Sequence, residues 1–468
     1  MKLTKLASCA ALLTFSLPSL AGPWIEGDDP LLRASIEMLF NQGVIKQPIN
    51  SYPLMWQGIA RDLNNVNVDT LPVQSQFALQ HVKHALANAK QSTSSGVKAH
   101  YNSDTSLQQS FGSRAQQKSG VNSYGSITGN RVSAKVSVNY ADEALDDKYI
   151  NNQGSYLAVL IADWSISAEQ VSHWWGPSND NALLLSNNAA PMKGIRVNRA
   201  NTQYDGPSFL SFMGNWQLTG IFAKQKPTLS SNDEGNYWAV RFASTPLPGL
   251  EIAFSTSGSE FLTSSFIDTA TLETENKKQQ LTSLDAKYST QIAGQAVGVY
   301  AEIMGRNDSG FAPSEPFYTL GIEHFYGNQK HLLKTYLEYT NTQQECITNM
   351  DCNYGNDTLT SISAGYNHKD RLIGSSTPYN SKSAVLGAQY HTMQGYAGFA
   401  KVRWLKGESL ITAPAKEIGS FERLQLELGY QQAIFSGLWK VSGSVFKDEL
   451  NSDSDTNTAL KTSWEYRF

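Results

Sequence analysis

Residues 423–430 read Arg-Leu-Gln-Leu-Glu-Leu-Gly-Tyr, with an apolar side chain at every second position. Successive side chains of a β-strand point to opposite faces, so this stretch has one apolar and one polar face. The apolar face ends on Tyr430, and an aromatic ring with a polar edge suits the boundary between lipid tails and headgroups. The pattern is typical of a strand that crosses a membrane in the wall of a β-barrel.

The same period of two recurs throughout the chain after residue 96. Four further apolar faces are Val132-Ala134-Val136-Val138-Tyr140, Trp238-Val240-Phe242, Leu284-Ala286-Tyr288 and Tyr396-Gly398-Ala400-Val402-Trp404. Residues 97–468 provide 468 − 96 = 372 positions, room for about 16–18 spanning strands with their turns. The sequence predicts a mainly β protein, a large transmembrane antiparallel β-barrel. A soluble β-sandwich would need several domains joined by linkers, and no linkers separate these strands.

The C-terminal residues agree with this prediction. Trp464, Tyr466 and Phe468 share one face of the last segment, and Glu465 and Arg467 occupy the other. Bacterial outer-membrane proteins usually present such a closing strand to their insertion machinery, which is therefore an expected partner together with outer-membrane lipid.

The N-terminus predicts export. Lys2 and Lys5 precede an apolar run from Leu6 to Leu17, and small residues at Ser19 and Ala21 follow. This order is that of a secretory signal peptide covering residues 1–21. The run is too short for a spanning helix. Most of the run follows Cys9 instead of preceding it, which argues against lipidation at that cysteine.

Residues 22–95 have helical character and predict a small α-helical bundle in the periplasm, followed by the barrel in residues 96–468. Asp28 or Asp29 can cap a first helix that Gly43 ends. A second helix fits Leu54–Leu63 and a third fits Val73–Ala89. The Ser-rich segment Gln91–Gly96 is interpreted as a linker.

Composition excludes some classes of function. The net charge of −4 gives no indication of nucleic-acid binding.

Cys346 and Cys352 lie in a polar stretch of an exported chain and are expected to form a disulfide. His81 and His84 could share a metal, but no third ligand is visible, so a packed helix is favoured and neither a metal nor another cofactor is expected.

The polar strand faces predict a mildly cationic lumen. Eleven cations and seven anions are expected there: Arg131, Lys135, Arg241, Lys287, Lys334, Lys401, Arg403, Arg423, Lys440, Lys461, Arg467, and Glu251, Asp285, Glu302, Glu323, Glu338, Glu427, Glu465. These charges could attract an anionic solute or polysaccharide. They could equally form salt bridges that brace the wall.

Four stretches rich in Asn, Asp and Ser are interpreted as surface loops: Ser178–Asn188, Ser230–Asn236, Asn341–Asn356 and Asn451–Asn457. Their amides and carboxylates could bind sugar hydroxyls. Catalysis has little support, because the chain contains no Gly-x-Ser-x-Gly elbow. A barrel-wall lipid or lipopolysaccharide hydrolase that uses His173 and His324 remains an alternative, as does a porin or solute-specific channel.

One segment stands apart: His173-Trp174-Trp175-Gly176-Pro177. On physical grounds the two tryptophans could anchor the barrel at the membrane rim. The segment resembles the Trp-Trp-Gly-Pro stretch of the Wzi capsule-assembly family. The similarity continues at Asp308, Gly310 and Pro313, although Arg306-Asn307-Asp308 departs from the acidic pair of the family motif, which puts any charge-dependent role there in doubt.

The resemblance implies an outer-membrane barrel of about 18 strands with a periplasmic helical bundle. It also implies a lectin-like, non-enzymatic protein that binds capsular or related exopolysaccharide and supports capsule assembly or attachment, with the polysaccharide export machinery as a further candidate partner. No set of sugar-binding residues transfers by motif, so the ligand-binding residues stay unassigned.

Overall fold

The structure is a computed structural model that describes part of the chain. It covers residues 22–468 except 65, 105–108, 114–117, 143–148, 229–231, 268–273, 308–311, 344–364, 411–417 and 451–452. The predicted signal peptide, the predicted Cys346–Cys352 disulfide, and Asp308 and Gly310 of the family motif lie outside the described residues.

Eighteen antiparallel strands close into a barrel, which confirms the predicted fold class and the upper strand count. The strands in chain order are β1 (Thr93–Asn102), β2 (Ser119–Thr128), β3 (Val132–Asp142), β4 (Tyr156–Ile161), β5 (Trp164–Glu169), β6 (Lys193–Arg199), β7 (Asn215–Gln225), β8 (Gly235–Leu247), β9 (Leu250–Ile267), β10 (Thr274–Ile292), β11 (Gln295–Arg306), β12 (Ser314–Gly327), β13 (His331–Asn341), β14 (Ser381–Thr392), β15 (Ala397–Leu410), β16 (Ile418–Ile434), β17 (Gly437–Leu450) and β18 (Asp453–Arg467). The short segment Ile150–Asn151 also pairs with β3 and extends β4. Strand β18 pairs with β1 and closes the cylinder.

The outer surface carries the predicted apolar faces. Leu424, Leu426 and Leu428 on β16 are 54%, 44% and 54% exposed, whereas Gln425 and Glu427 between them are buried in the lumen. At the C-terminus the rings of Trp464 and Tyr466 stack with centroids 5.9 Å apart on the same outer face. Exposed leucines are stable there only if lipid covers them.

The two ends of the barrel differ in the length of their connections. Short turns join β9 to β8, β11 to β10 and β17 to β16, whereas long segments, including 170–192 and 342–380, connect strands at the opposite end. In outer-membrane barrels of known orientation the short turns lie on the periplasmic side and the long loops outside.

Three helices lie at the short-turn end: α1 (Pro30–Asn41), α2 (Trp56–Leu63) and α3 (Val73–Ala89). The side chain of Asp29 caps α1 as predicted, and α2 begins two residues later than predicted because Leu54–Met55 forms a short strand. The helices share one apolar core with wall residues such as Phe325 and Leu332. Among the described residues, no helix is long and apolar enough to cross a membrane.

The interpretation of Gln91–Gly96 as a linker is wrong. Strand β1 begins at Thr93, because Thr93–Gly96 pairs in register with β2. The chain therefore passes from α3 into the wall almost directly, and this short connection keeps the helices against the mouth of the barrel.

Candidate functional site

The lumen is filled from both ends. From the short-turn end come the helices and the short strand Ser51–Tyr52, and from the opposite end comes segment 170–192, here called the inward loop. Within the lumen, Trp174–Trp175 of the inward loop pairs antiparallel with Ser51–Tyr52. The two tryptophans are 1% and 2% exposed. The hypothesis that they anchor the barrel at the membrane rim is therefore wrong, because their strand closes the lumen instead.

Aromatic contacts fix this junction. The ring of Trp174 meets Phe111 edge-on at 5.5 Å, and Phe111 in turn meets Tyr52 at 4.8 Å. The indole Nε1 of Trp174 donates to the carbonyl oxygen of Ser178 at 3.2 Å. Phe111 belongs to the β1–β2 connection, so three separate stretches of sequence meet at one point.

Gly176 and Pro177 continue the junction. Gly176 has φ of +122°, and a Cβ atom there would lie 2.9 Å from Oε2 of Glu302 on the wall. A side chain is therefore excluded both by the backbone conformation and by lack of space. The guanidinium of Arg33 on α1 donates to the carbonyl oxygens of Pro177 and Ser178 at 2.7 and 3.0 Å. The family motif thus joins the inward loop to the helices.

A buried ion cluster attaches α1 to the barrel wall. Glu37 contacts Arg33 Nε at 3.0 Å, Lys287 Nζ at 2.9 Å and also Lys334 Nζ. Glu323 contacts Lys287 Nζ at 2.5 Å and Lys334 Nζ at 3.2 Å. Burial alone would raise the pKa of Glu37, but Lys287, Lys334 and Arg33 outweigh it and hold that pKa well below its ordinary value. Glu37 is therefore a carboxylate at physiological pH.

The inward loop is held by wall carboxylates that accept its backbone N–H groups. Glu338 accepts from the backbone nitrogens of Asn179 and Asn181 at 2.7 and 2.9 Å, and Glu302 accepts from that of Leu183 at 3.1 Å. Hydrogen bonds of this kind satisfy a loop backbone that water cannot reach.

Asp180 on the same loop is paired with the wall. Its carboxylate receives Arg403 Nε at 2.9 Å and Nη2 at 2.6 Å. Burial opposes ionisation, but Arg403 and Lys401 lower the pKa of Asp180 below its ordinary value. The interpretation of Ser178–Asn188 as an exposed sugar-binding loop is wrong, because its polar residues from Ser178 to Asn181 and from Ser186 to Asn188 are all buried. Their composition serves hydrogen bonding inside the barrel.

Residues 365–380 cover the inward loop from outside. The Tyr366 hydroxyl donates to the carbonyl oxygen of Leu184 at 2.8 Å, and Ser186 N donates to that of Ile373 at 3.0 Å. A Cβ atom on Gly374 would lie 1.9 Å from the carbonyl oxygen of Leu183, so the two segments touch backbone to backbone.

Most of the charges predicted in the lumen do lie there, and many are paired with a side chain of opposite charge. Arg241 contacts Asp285 at 2.5 Å, and Arg423 contacts Asp448 at 2.6 Å. Arg131 does not lie in the lumen, because it is exposed in the turn between β2 and β3. Arg467 lies at the end of β18, and its side chain is 66% exposed. The paired charges favour bracing over attraction of a solute.

The structure does not bring the suspected catalytic histidines together. His173 Nε2 lies 3.2 Å from Glu169 Oε1 at the long-loop end. His324 lies on the outer face of β12, in the alternating row with Ile322 and Tyr326 near the short turns. Among the residues that the structure describes, no group of three or more His, Cys, Asp or Glu side chains could hold a metal ion.

The remaining predicted residues have structural contacts. His81 Nδ1 lies 2.9 Å from Ser35 Oγ, and His84 Nε2 lies 3.2 Å from Asn88 Nδ2, so each histidine has a partner of its own. Pro313 lies directly before β12, beside Gly305 of β11.

Sequence reasoning missed the residues that hold the two segments in the lumen, above all Arg33, Glu37 and Asp180. One signal was present: Glu302 and Glu338 were expected on lumen faces of spanning strands, where a carboxylate needs a partner. The sequence does not say that this partner is a backbone folded inward.

Fold and lumen together define the class of protein: an outer-membrane β-barrel whose interior is filled by its own chain. Comparison with known proteins gives the family. Residues 88–446 match the family model described as "Capsule assembly protein Wzi", and since this is more than half of the chain, the chain belongs to that family.

Two relatives illustrate the similarity. A Klebsiella pneumoniae protein described as an "Uncharacterized 55.8 kDa protein in cps region" is 26% identical over 334 residues, covering 68% of this chain. This chain spans 65% of that relative's length. The solved structure of Wzi from Escherichia coli, described as an outer-membrane protein involved in group 1 capsule assembly and a carbohydrate-binding β-barrel, aligns with a TM-score of 0.78 at 20% identity. That alignment covers 96% of this chain and 100% of the other, and it shows the shared fold.

Proposed function

We propose that this protein binds capsular or related polysaccharide at the cell surface and helps to attach it, without chemical conversion. The observation that carries the proposal is that the chain belongs to a capsule assembly family. In addition, its own chain fills the lumen of the barrel. A filled lumen leaves the extracellular face as the surface that a long polymer can contact. Many weak sugar contacts along one polymer add up through effective concentration.

The filled lumen also disfavours the channel alternative. The inward loop is bonded to strands β11, β13 and β15 of the wall through Glu302, Glu338 and Arg403, and it meets the helices at Trp174. A porin needs a continuous aqueous path, and this arrangement opposes one.

The hydrolase alternative lacks a catalytic arrangement. His173 and His324 lie at opposite ends and on opposite faces of the wall, so they cannot act on one substrate. We therefore propose a non-enzymatic role.

The orientation completes the proposal. With short turns facing the periplasm, the helices face the periplasm too, and there they could meet the export machinery. The exposed aromatic face of β18, which ends at Phe468, is the surface proposed for the insertion machinery.

Deleting the gene tests the function. The expected result is release of polysaccharide into the medium with total synthesis unchanged, and reversal by the wild-type gene. Cell-attached polysaccharide that stays at the wild-type level in the deletion strain contradicts the proposal. Steady ion current through the purified protein in planar bilayers would instead support a channel.

A further inference from the structure

Two lysines lie directly opposite each other on the outer surface of the wall. Lys193, the first residue of β6, pairs in register with Lys224 of β7. Both side chains are exposed and point outward, as do Ile195 and Phe222 two positions below them. Like charges opposed across neighbouring strands repel each other, so this pair is unfavourable unless an anion lies between them.

The row below the lysines is apolar. Ile195 pairs with Phe222, and their side chains are 53% and 52% exposed. They continue the lipid-facing belt through Val197, which is 37% exposed. A pair of cations thus lies directly above a pair of apolar side chains, on a surface whose lower part already contacts lipid.

The height of the pair matches the membrane boundary. Lys224 is the tenth residue of β7, which begins at Asn215 near the short turns. Nine steps of about 3.4 Å along a strand tilted by about 40° rise roughly 23 Å, close to the apolar band of about 25 Å. The lysines therefore lie at the level of the outer-leaflet headgroups.

The strands of the wall are also short beside the lysine pair. Strands β4, β5 and β6 have 6, 6 and 7 residues, fewer than the roughly 9–11 of a spanning strand. Because β6 begins at Lys193, nothing of its strand stands above the lysine pair, and a bulky headgroup has room there.

Lys224 contacts an uncharged side chain on β8. Lys224 Nζ donates to Asn236 Oδ1 at 2.8 Å, a neutral partner. Glu260, next along the row, accepts from the backbone and side-chain nitrogens of Asn236 at 3.0 and 2.6 Å. Glu169 on β5 points into the lumen, where it binds Arg196 at 2.9 Å.

We propose that this surface binds a phosphorylated glycolipid of the outer leaflet, lipopolysaccharide. A phosphate group lies between Lys193 and Lys224, and an acyl chain lies against Ile195 and Phe222. Cation pairs suit phosphate because each ammonium donates a charge-assisted hydrogen bond.

The test counts the lipopolysaccharide molecules that stay bound to the purified full-length mature protein, by native mass spectrometry from mild detergent. The variant K193Q/K224Q is compared with K406Q/K447Q. Lys406 and Lys447 also lie on the outer face towards the long-loop end, 58% and 52% exposed, but each contacts a carboxylate, at 3.7 and 2.6 Å. Retention by K193Q/K224Q is expected to fall about tenfold, the scale of losing charge-assisted contacts at an interface, while the control stays at the wild-type level.

Further arms separate the ligand chemistry. Lipopolysaccharide stripped of its phosphates is expected to bind the wild type about as weakly as the intact lipid binds K193Q/K224Q. Equal retention by K193Q/K224Q and the control, or undiminished binding of the stripped lipid, overturns the proposal. Heat-modifiable migration on gels verifies folding, and if the double variant fails this check, K193Q and K224Q are measured singly with the same criteria.

Discussion

Replacing Glu37 by Gln removes one charge from the centre of the ion cluster and keeps the shape of the side chain. Glu37 and its neighbours Arg33, Lys287 and Lys334 are at most 2% exposed. The substitution leaves three buried cations with Glu323 as their nearest remaining carboxylate. Removing one partner from a buried ion pair costs about 3–5 kcal/mol, so docking of α1 is expected to weaken by that amount.

Hydrogen exchange measures this effect. An undocked helix of 12 residues is marginal in water, so α1 exchanges its amide protons whenever it leaves the lumen. A loss of about 3 kcal/mol raises the open fraction roughly 100-fold, and the protection of peptides covering residues 30–41 falls accordingly. The control is D448N, which breaks a partly exposed pair on the wall and costs about 1 kcal/mol or less. Equal protection of α1 in E37Q and D448N refutes the reasoning.

Three further predictions concern the same junction. The lowered pKa of Glu37 lies below the ordinary value of about 4.3, so its stabilisation is present above that value and is lost only as pH falls through the lowered one. The ratio of α1 protection factors between the wild type and E37Q is therefore expected to stay constant from about pH 7 to pH 5, and a fall of that ratio within this range contradicts the assignment. W174A is expected to lower the free energy of unfolding by about 3–5 kcal/mol, which a gel assay detects as unfolding at a lower temperature. The control F209A changes a side chain that is 74% exposed and is expected to lower that free energy by about 0.5 kcal/mol or less. Equal shifts in the two variants count against the junction. G374A places a Cβ 1.9 Å from the carbonyl oxygen of Leu183 and therefore pushes segment 365–380 away from the inward loop. Trypsin is expected to cleave this segment several-fold faster in G374A than in the control G443A, where a Cβ meets nothing within 4 Å. Equal cleavage rates in the two variants show that the contact is unimportant.

The wall could be predicted from sequence because its pattern is local. Alternation of side chains and the distance between polar turns gave the barrel and its strand range, and caps such as Asp29 gave the helices within two residues. Lipid imposes one rule on every spanning strand, so the signal repeats along the chain.

The interior could not be predicted in the same way. Trp174 pairs with Tyr52, and Asp180 pairs with Arg403, across more than 100 positions of sequence. An Asn- and Ser-rich loop has the same composition whether water or buried carboxylates satisfy its backbone. Periodicity carries no information about which loops fold inward, so the composition of the inward loop predicts a surface loop.

The central claim is that a barrel with a filled lumen holds capsular polysaccharide on its extracellular face. The direct measurement is binding of the purified, folded protein to the polysaccharide of its own cell, compared with a single repeat unit of that polymer. The proposal predicts saturable binding of the polymer that is about 100-fold or more tighter than that of the repeat unit, because many weak contacts act together. Absence of binding, or equal binding to an unrelated neutral polymer such as dextran, would contradict it.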